Sequence, residues 1–199
     1  MTSIEQVERH FQDSIALNQR ISSELPQQIA LGAERLCDAL VSGNKILSCG
    51  IGGSAATSQV FTSQMINRYE LERPALPAIA LGVDSPTLTS VSGDYGQHQV
   101  FSRQIRALGQ HGDILLAFTS SGNSESIADA LRAAQSRDMS CLALTGHNGG
   151  ELAGMLSERD LEIRVPSQIT AHIDEAHLTI AHCLCNLIDN ALFRVGYSG

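Results

Sequence analysis

The sequence has no tryptophan, and aromatic residues make up only 4% of its 199 positions. Basic residues are also scarce, because 13 Lys and Arg stand against 21 Asp and Glu and leave a formal net charge of −8. Proteins that bind nucleic acids usually present clustered basic side chains to the phosphates, or aromatic side chains on which bases stack. Because the sequence shows neither pattern, direct binding of nucleic acid is disfavoured.

Long apolar runs are missing as well. No stretch reaches the roughly eighteen uncharged apolar residues of a membrane-spanning helix, and the first residues do not resemble a signal peptide. The cysteines are odd in number and include no Cys-x-x-Cys pair (Cys37, Cys49, Cys141, Cys183 and Cys185). We therefore expect a cytoplasmic protein without a membrane segment, whose thiols are reduced and mostly buried.

The apolar pattern predicts one α/β domain over residues 1–199. Helical spacing indicates a pair of helices in residues 1–43, and short apolar strands alternate with helices in residues 44–199. The predicted strands are 45–49, 77–81, 113–118, 140–144 and 161–165, and the predicted helices between and after them are 54–69, 85–92, 100–108, 124–136, 150–156 and 170–193. This alternation is typical of a doubly wound parallel sheet with right-handed crossovers.

The helical pair and the long last helix carry more apolar surface than one small sheet needs for its cover. Ile4, Val7, Phe11 and Ile15 recur at helical spacing in the first helix. We expect such helices to pack against other subunits in a homo-oligomer; a helical cap within one chain is the alternative.

The first predicted strand leads through a glycine-rich loop directly into a helix. The loop reads Gly50-Ile51-Gly52-Gly53-Ser54. Glycines allow the backbone to approach an anion closely, and a helix N-terminus offers unpaired N–H groups and a partial positive charge. The same pattern also fits a tight turn without a ligand, and it partly matches the dinucleotide-binding fingerprint.

A second loop, at residues 119–124, resolves this ambiguity. It reads Thr119-Ser120-Ser121-Gly122-Asn123-Ser124 and again precedes a helix. Four hydroxyl groups around one glycine can donate hydrogen bonds to phosphate oxygens without adding charge. Both loops follow strands at their carboxyl ends, where open α/β sheets bind ligands. The two loops together predict a site for a phosphorylated sugar.

Several segments of the chain resemble the sugar isomerase (SIS) domain: 46–50, 66–69, 73–74, 119–124, 143–146 and 161–166. The likeness covers nearly the whole chain and is closest to the phosphoheptose isomerases and to the related branch that binds the bacterial replication initiator DnaA. It implies a five-stranded parallel sheet and a homotetramer with active sites between subunits. The positions to which it assigns phosphosugar contacts are Gly52, Gly53, Ser54, Asp94, Thr119, Ser120, Ser121, Ser124 and Asp174.

The chain departs from the isomerases where the family places its chemistry. The helix after the first loop carries His-x-x-x-Glu in the isomerases, for a metal and for catalysis, and these positions are Val60 and Gln64 here. The metal-binding Gln of the family corresponds to Asp174, and the catalytic His is retained as His182. Because valine cannot ligate a metal and an amide cannot accept the proton, we predict no metal or other cofactor; zinc enters only if the chain is an isomerase.

His182 is the candidate catalytic residue, and a satisfied interior histidine is the alternative for it. Asp94, Asp174 and Glu175 are candidate substitute bases, because isomerisation needs a group that moves a proton between adjacent carbons.

Two functions follow from this resemblance. The loss of the isomerase pair and the likeness of segment 183–193 to the initiator-associating branch favour a non-catalytic, tetrameric phosphosugar-binding scaffold for DnaA. Leu192 and Phe193 are its candidate partner contacts, with a hydrophobic clasp at the helix end as the alternative. The second function is isomerisation of sedoheptulose 7-phosphate, favoured by His182 and by the complete phosphate loop.

Overall fold

The computed structural model describes residues 1–194, so that the last five residues of the predicted domain lie outside the described part. Its strands are β1 (Ile46–Cys49), β2 (Ala78–Ala80), β3 (Ile114–Phe118), β4 (Ser140–Thr145) and β5 (Leu161–Arg164). They form one sheet in the order β2-β1-β3-β4-β5, and every neighbouring pair is parallel. The predicted doubly wound, five-stranded parallel sheet is confirmed.

The helices follow the predicted order with small differences at their ends. They are α1 (Ser3–Glu24), α2 (Pro26–Val41), α3 (Gly53–Ile66), α4 (Ser85–Tyr95), α5 (Val100–Leu108), α6 (Glu125–Ser136), α7 (Gly150–Ala153) and α8 (Thr170–Phe193), with a short 3-10 helix at Gln97–Gln99 before α5. The first begins with a reciprocal capping box between Thr2 and Glu5, and the second begins with Pro26, which lacks the N–H that the first turn leaves unpaired anyway. The seventh helix ends earlier than predicted, before Gly154. Among the described residues, no helix is both long and apolar enough to cross a bilayer.

The sheet is covered on both faces, which explains its continuous apolar strands. Alternate residues of β3 point to opposite sides, so that Leu116 faces the layer of α2, α3 and α8 while Leu115 faces the layer of α5 and α6. All five residues of β3 are buried, as expected for a central strand of a parallel sheet.

The first half of α1 does not contribute to this core. Its buried residues are Leu17 and Ile21, whereas the apolar residues before them are 57% to 72% exposed (Ile4, Val7, Phe11 and Ile15). The helical spacing was predicted correctly, but within this chain that apolar face contacts solvent.

The end of α8 carries two residues that were expected either to contact a partner or to form a hydrophobic clasp. Leu192 and Phe193 are half-buried. Leu192 packs against the core, and the Phe193 ring lies 5.8 Å from the guanidinium carbon of Arg73. This contact corresponds to the hydrophobic clasp at the helix end and corrects the expectation of an exposed partner contact.

Candidate functional site

Both predicted loops lie at the carboxyl edge of the sheet, where the chain leaves two adjacent strands towards opposite faces of the sheet. The strand β1 continues through α3 on one face to its neighbour β2, whereas β3 continues through α6 on the other face to its neighbour β4. The two helices leave the sheet in opposite directions and open a crevice between the ends of β1 and β3. This is the position where doubly wound sheets bind their ligands.

The crevice contains a cavity of about 210 Å³, bounded by hydroxyl groups from both loops. Its lining residues are Ile51, Ser54, Phe118, Thr119, Ser120, Ser121, Ser124 and Ile127. No lysine or arginine is among them. An anion in this cavity would therefore be held by hydroxyls, by backbone amides and by the partial positive charge at the start of α6.

The second loop is folded by its own hydrogen bonds. The hydroxyl of Thr119 accepts from the Gly122 amide at 3.1 Å, and the hydroxyl of Ser121 accepts from the Asn123 amide at 3.2 Å. Gly122 has φ +70° and lies against the backbone of Gly149, where a Cβ would collide with the Gly149 carbonyl group. A side chain at position 122 would therefore disrupt the loop.

Ser124 stands at the N-cap of α6, but its hydroxyl makes no capping hydrogen bond. N-cap serines usually use this oxygen to satisfy an amide of the first turn. Here Ser124 lines the cavity instead. The Ile127 amide donates to the Ser124 carbonyl oxygen at 3.1 Å, which leaves the Ser124 hydroxyl and the amides of Glu125 and Ser126 for a ligand. Ser124, predicted as a phosphosugar contact, thus lies in the cavity wall.

The first loop brings a carboxylate to the start of α3. The Ser54 hydroxyl donates to Asp174 Oδ1 at 3.3 Å. Asp174 Oδ2 lies 2.6 Å from the point where a Cβ of Gly53 would stand. The sequence predicted a phosphate at this helix N-terminus, yet the structure places the Asp174 carboxylate there, and Gly52 and Gly53 do not line the cavity.

Burial changes the acidity of this carboxyl group. Partial desolvation raises the pKa of Asp174, and the hydrogen bond from Ser54 opposes that rise. A carboxylate with a raised pKa is a stronger base than an ordinary aspartate. Asp174 is therefore chemically suited to accept a proton beside Ser54, which lines the cavity.

The other candidate bases lie elsewhere. Asp94 is an exposed residue of α4 and does not line the cavity. Glu175 accepts hydrogen bonds from Ser14 and from His10, on α1. His182 lies two turns beyond Asp174 on α8, and its ring stacks on Tyr69 with centroids 5.8 Å apart. Asp174 does not line the cavity either, but it is the candidate base that is hydrogen-bonded to a residue of the cavity wall, Ser54.

The positions that would correspond to the metal site of the isomerases do not form one here. Val60 has no donor atom, and the side-chain oxygen of Gln64 accepts from the Cys185 thiol at 3.2 Å. Asp174 is turned to Ser54 and His182 to Tyr69. These four residues do not fit a metal ion, and we derive no chemical step through one.

Sequence reasoning missed the pairing of Ser54 with Asp174 and the apolar residues of the cavity wall. Ser54 and Asp174 are 120 positions apart, and no local pattern signals that contact. These apolar residues could have been found, because Ile51 lies within the first predicted loop, and Phe118 and Ile127 flank the second at the end of β3 and in the first turn of α6.

Comparison with known proteins identifies relatives over almost the full length. Residues 9–146 match the SIS domain family. Curated phosphoheptose isomerases from Alteromonas mediterranea and Shewanella halifaxensis are 54% and 52% identical over 190 residues, which cover 96% of this chain and 96% of each relative.

Solved structures agree with these relatives. A phosphoheptose isomerase from Francisella tularensis shares 44% identity with a TM-score of 0.93, and the match covers 96% of this chain and 100% of that one. A phosphoheptose isomerase from Neisseria gonorrhoeae shares 41% identity with a TM-score of 0.91, covering 95% and 100%.

These relatives overturn the expectation of a non-catalytic scaffold that binds DnaA. They carry the name of an isomerase at 41% to 54% identity over nearly the whole chain. The prediction based on Val60, Gln64 and the C-terminal segment was wrong, because it gave more weight to a few changed positions than to the rest of the fold.

Proposed function

Because the chain belongs to the SIS domain family, and within it to the phosphoheptose isomerases, we propose that it interconverts the ketose and aldose forms of a phosphorylated sugar. Sedoheptulose 7-phosphate is the proposed substrate. The observation that carries the proposal is the hydroxyl-lined cavity whose wall residue Ser54 is hydrogen-bonded to the Asp174 carboxyl group.

The second loop supplies the phosphate contacts in this proposal. Ser120, Ser121 and Ser124 line one small cavity, and α6 begins directly after Ser124. Hydrogen bonds to a doubly charged phosphate are stronger than those between neutral groups. This loop anchors one end of the substrate without taking part in the proton transfer.

The first loop then faces the reacting end of the sugar, on the opposite side of the cavity. The base removes a proton from the carbon beside the carbonyl group, which leaves an enediolate. The protonated base exchanges its proton with water and then delivers a proton to the former carbonyl carbon, while a second proton moves between the two oxygens. Substrate and product have the same atoms and electrons, so the reaction needs no external oxidant or reductant. We assign the carbon-to-carbon transfer to Asp174.

We also infer that the chain works as a homotetramer. The support is the exposed apolar face of α1 (Ile4, Val7, Phe11 and Ile15), which a single chain leaves in water. A neighbouring subunit packed there would cover this face.

The first test follows deuterium entering sedoheptulose 7-phosphate in heavy water by NMR. The wild-type protein should exchange the proton that isomerisation moves. Asp174→Asn, which keeps the size of the side chain but removes the base, should abolish exchange while sugar-phosphate binding survives. Ser120→Ala combined with Ser124→Ala should weaken that binding by about 100-fold or more, because each lost hydrogen bond to a charged group contributes roughly 1.5 to 3 kcal/mol.

His182→Ala is the matched variant. Retained exchange in His182→Ala and lost exchange in Asp174→Asn supports the assignment to Asp174. The reverse pattern moves the base to His182 and leaves the isomerase intact as a proposal. An absence of exchange in the wild-type protein contradicts the proposed function itself.

A further inference from the structure

A second group of titratable side chains lies apart from the cavity, where α1 crosses the first turn of α8. His10 Nε2 lies 3.0 Å from Glu175 Oε1, and His172 Nε2 lies 3.1 Å from His10 Nδ1. His172 and Glu175 are three residues apart on the helix and therefore share one face. None of the three lines the phosphate cavity.

The donor atoms of these residues converge. One ligand atom from each of His10, His172 and Glu175 lies within 4.8 Å of the others. Glu175 is further oriented by the Ser14 hydroxyl, which donates to its other oxygen at 3.1 Å. A hydrogen bond that fixes a ligating carboxylate is a frequent feature of protein metal sites.

Burial is also distributed as a binding site requires. His172 is buried, whereas the side chains of His10 and Glu175 are 46% and 45% exposed. One ligand is therefore held in place by packing, and the other two leave an entry path from solvent.

We propose that His10, His172 and Glu175 bind a zinc ion. Two imidazoles and one carboxylate match the ligands that zinc prefers, and the three leave a fourth position for water. Calcium and magnesium prefer oxygen ligands, so two imidazoles disfavour both. With donors at about 2.0–2.2 Å from zinc, tetrahedral geometry places them roughly 3.4 Å apart. The donor atoms therefore need to close by at most about 1.4 Å, and the partly exposed His10 side chain has room to rotate.

The ion would fasten α1 to α8. Only Leu17 and Ile21 of α1 are buried, so the preceding part of the helix is attached mainly through this polar cluster. A ligand that binds the folded form alone stabilises it in proportion to its affinity and concentration. Zinc at this site is independent of the proposed isomerase chemistry, because it involves neither the phosphate loop nor Asp174.

The test is a zinc titration of untagged protein that has first been dialysed against a chelator, followed by competition with a chromogenic zinc indicator. All proteins carry Cys183→Ser, because Cys183 is an exposed thiol that could bind zinc by itself. One zinc per chain is expected. Glu175→Gln and His10→Ala should each lower the affinity by at least about 100-fold, and Ser14→Ala by about tenfold, in the range seen for residues that orient a ligand.

Two control variants locate the ion. His111→Ala removes an exposed histidine distant in sequence from the cluster and should leave the affinity unchanged. His182→Ala should also bind zinc normally. Zinc should raise the Tm of the parent protein and not that of Glu175→Gln, and X-ray absorption should show two imidazole ligands.

Absence of stoichiometric binding in the parent protein would overturn the proposal. So would binding that persists in both Glu175→Gln and His10→Ala, or binding that is lost in His182→Ala. A hydrogen-bonded cluster without a metal function would give the first of these results.

Discussion

Asp174 and His177 lie three residues apart on α8, and burial shifts their pKa values in opposite directions. Desolvation raises the pKa of the Asp174 carboxyl group and lowers the pKa of His177 to about 4. In both residues the neutral form is favoured, because water stabilises a charge better than the protein interior does. Asp174 lies near the cavity, where a stronger base is useful. His177 is fully buried and bonded to the Thr145 carbonyl oxygen at 3.0 Å, where neutrality stabilises the fold.

His177 should make the protein less stable in acid. Its folded-state pKa of about 4 lies below the ordinary histidine value of 6.5, so that protonation favours the unfolded chain. The stabilisation is fully present above pH 6.5 and is lost as the pH falls towards 4. The expected loss between pH 7 and pH 5 is about 2 kcal/mol from this residue.

Urea denaturation of the wild-type protein and of His177→Gln at both pH values measures this contribution. Glutamine can still donate to the Thr145 carbonyl group but does not titrate. The free energy of unfolding should therefore fall less with pH in the variant, while the remaining histidines affect both proteins equally. Equal decreases in the two proteins would contradict the assignment.

At the same scale, the sequence predicted some site residues and could not predict others. The second loop was identifiable because its hydroxyls are adjacent in the chain and follow a strand. Asp174 was placed near the site only by resemblance, since its contact with Ser54 depends on how α3 and α8 pack. The triad at His10 had no sequence signal, because 162 residues separate His10 from His172.

Secondary-structure elements were predicted best where both faces of the element are buried. The strand β3 is a continuous apolar run, and its position followed directly from that pattern. The last helix was predicted with the bounds that the structure shows, Thr170–Phe193. The predictions were weaker for α1, where apolar spacing indicates a helix but does not say what covers it.

A buried ion pair joins the segment after α3 to the far half of α8. Arg73 Nε lies 2.7 Å from Asp189 Oδ1, and both side chains are almost completely buried. The guanidinium group also donates to the carbonyl oxygens of Gln64, Met65 and Pro74. Asp189→Ala should cost about 3 to 5 kcal/mol of folding free energy, because it leaves a buried charge without its partner.

Chemical denaturation measures this loss, and the exposed Arg68–Glu72 pair provides the control. Glu72→Ala should change stability by less than about 1 kcal/mol, as is usual for ion pairs in water. The double variant Arg73→Met with Asp189→Leu should lose less than Asp189→Ala alone. Similar losses of unfolding free energy in Asp189→Ala and Glu72→Ala would show that the buried pair holds the two segments together no more strongly than an exposed pair does.

For the whole molecule, the exposed face of α1 is the main feature that one chain leaves unexplained. Burying Val7 and Phe11 between subunits would remove apolar surface from water, at about 25 cal/mol per Å². Replacing both by aspartate should convert the proposed tetramer to smaller species, because the new charges would have to be desolvated.

Size-exclusion chromatography with light scattering checks this expectation. Val41→Asp is the matched control, since Val41 is 75% exposed on α2 and does not belong to the α1 face. It should leave the assembly unchanged. An unaltered mass for Val7→Asp with Phe11→Asp would exclude this face from the subunit interface.

The crevice at the carboxyl edge lies between two helices that cover opposite faces of the sheet. The helix α3 belongs to one layer of the fold and α6 to the other, with the sheet between them. Ser54 lies in the first turn of α3 and Ser124 directly precedes α6, yet both border the same cavity. A phosphate bound there would contact the starts of both helices at the edge of the sheet. Neither helix could then unfold locally at its start without releasing the ligand. A ligand in this one small cavity would then reduce local opening on both faces of the sheet.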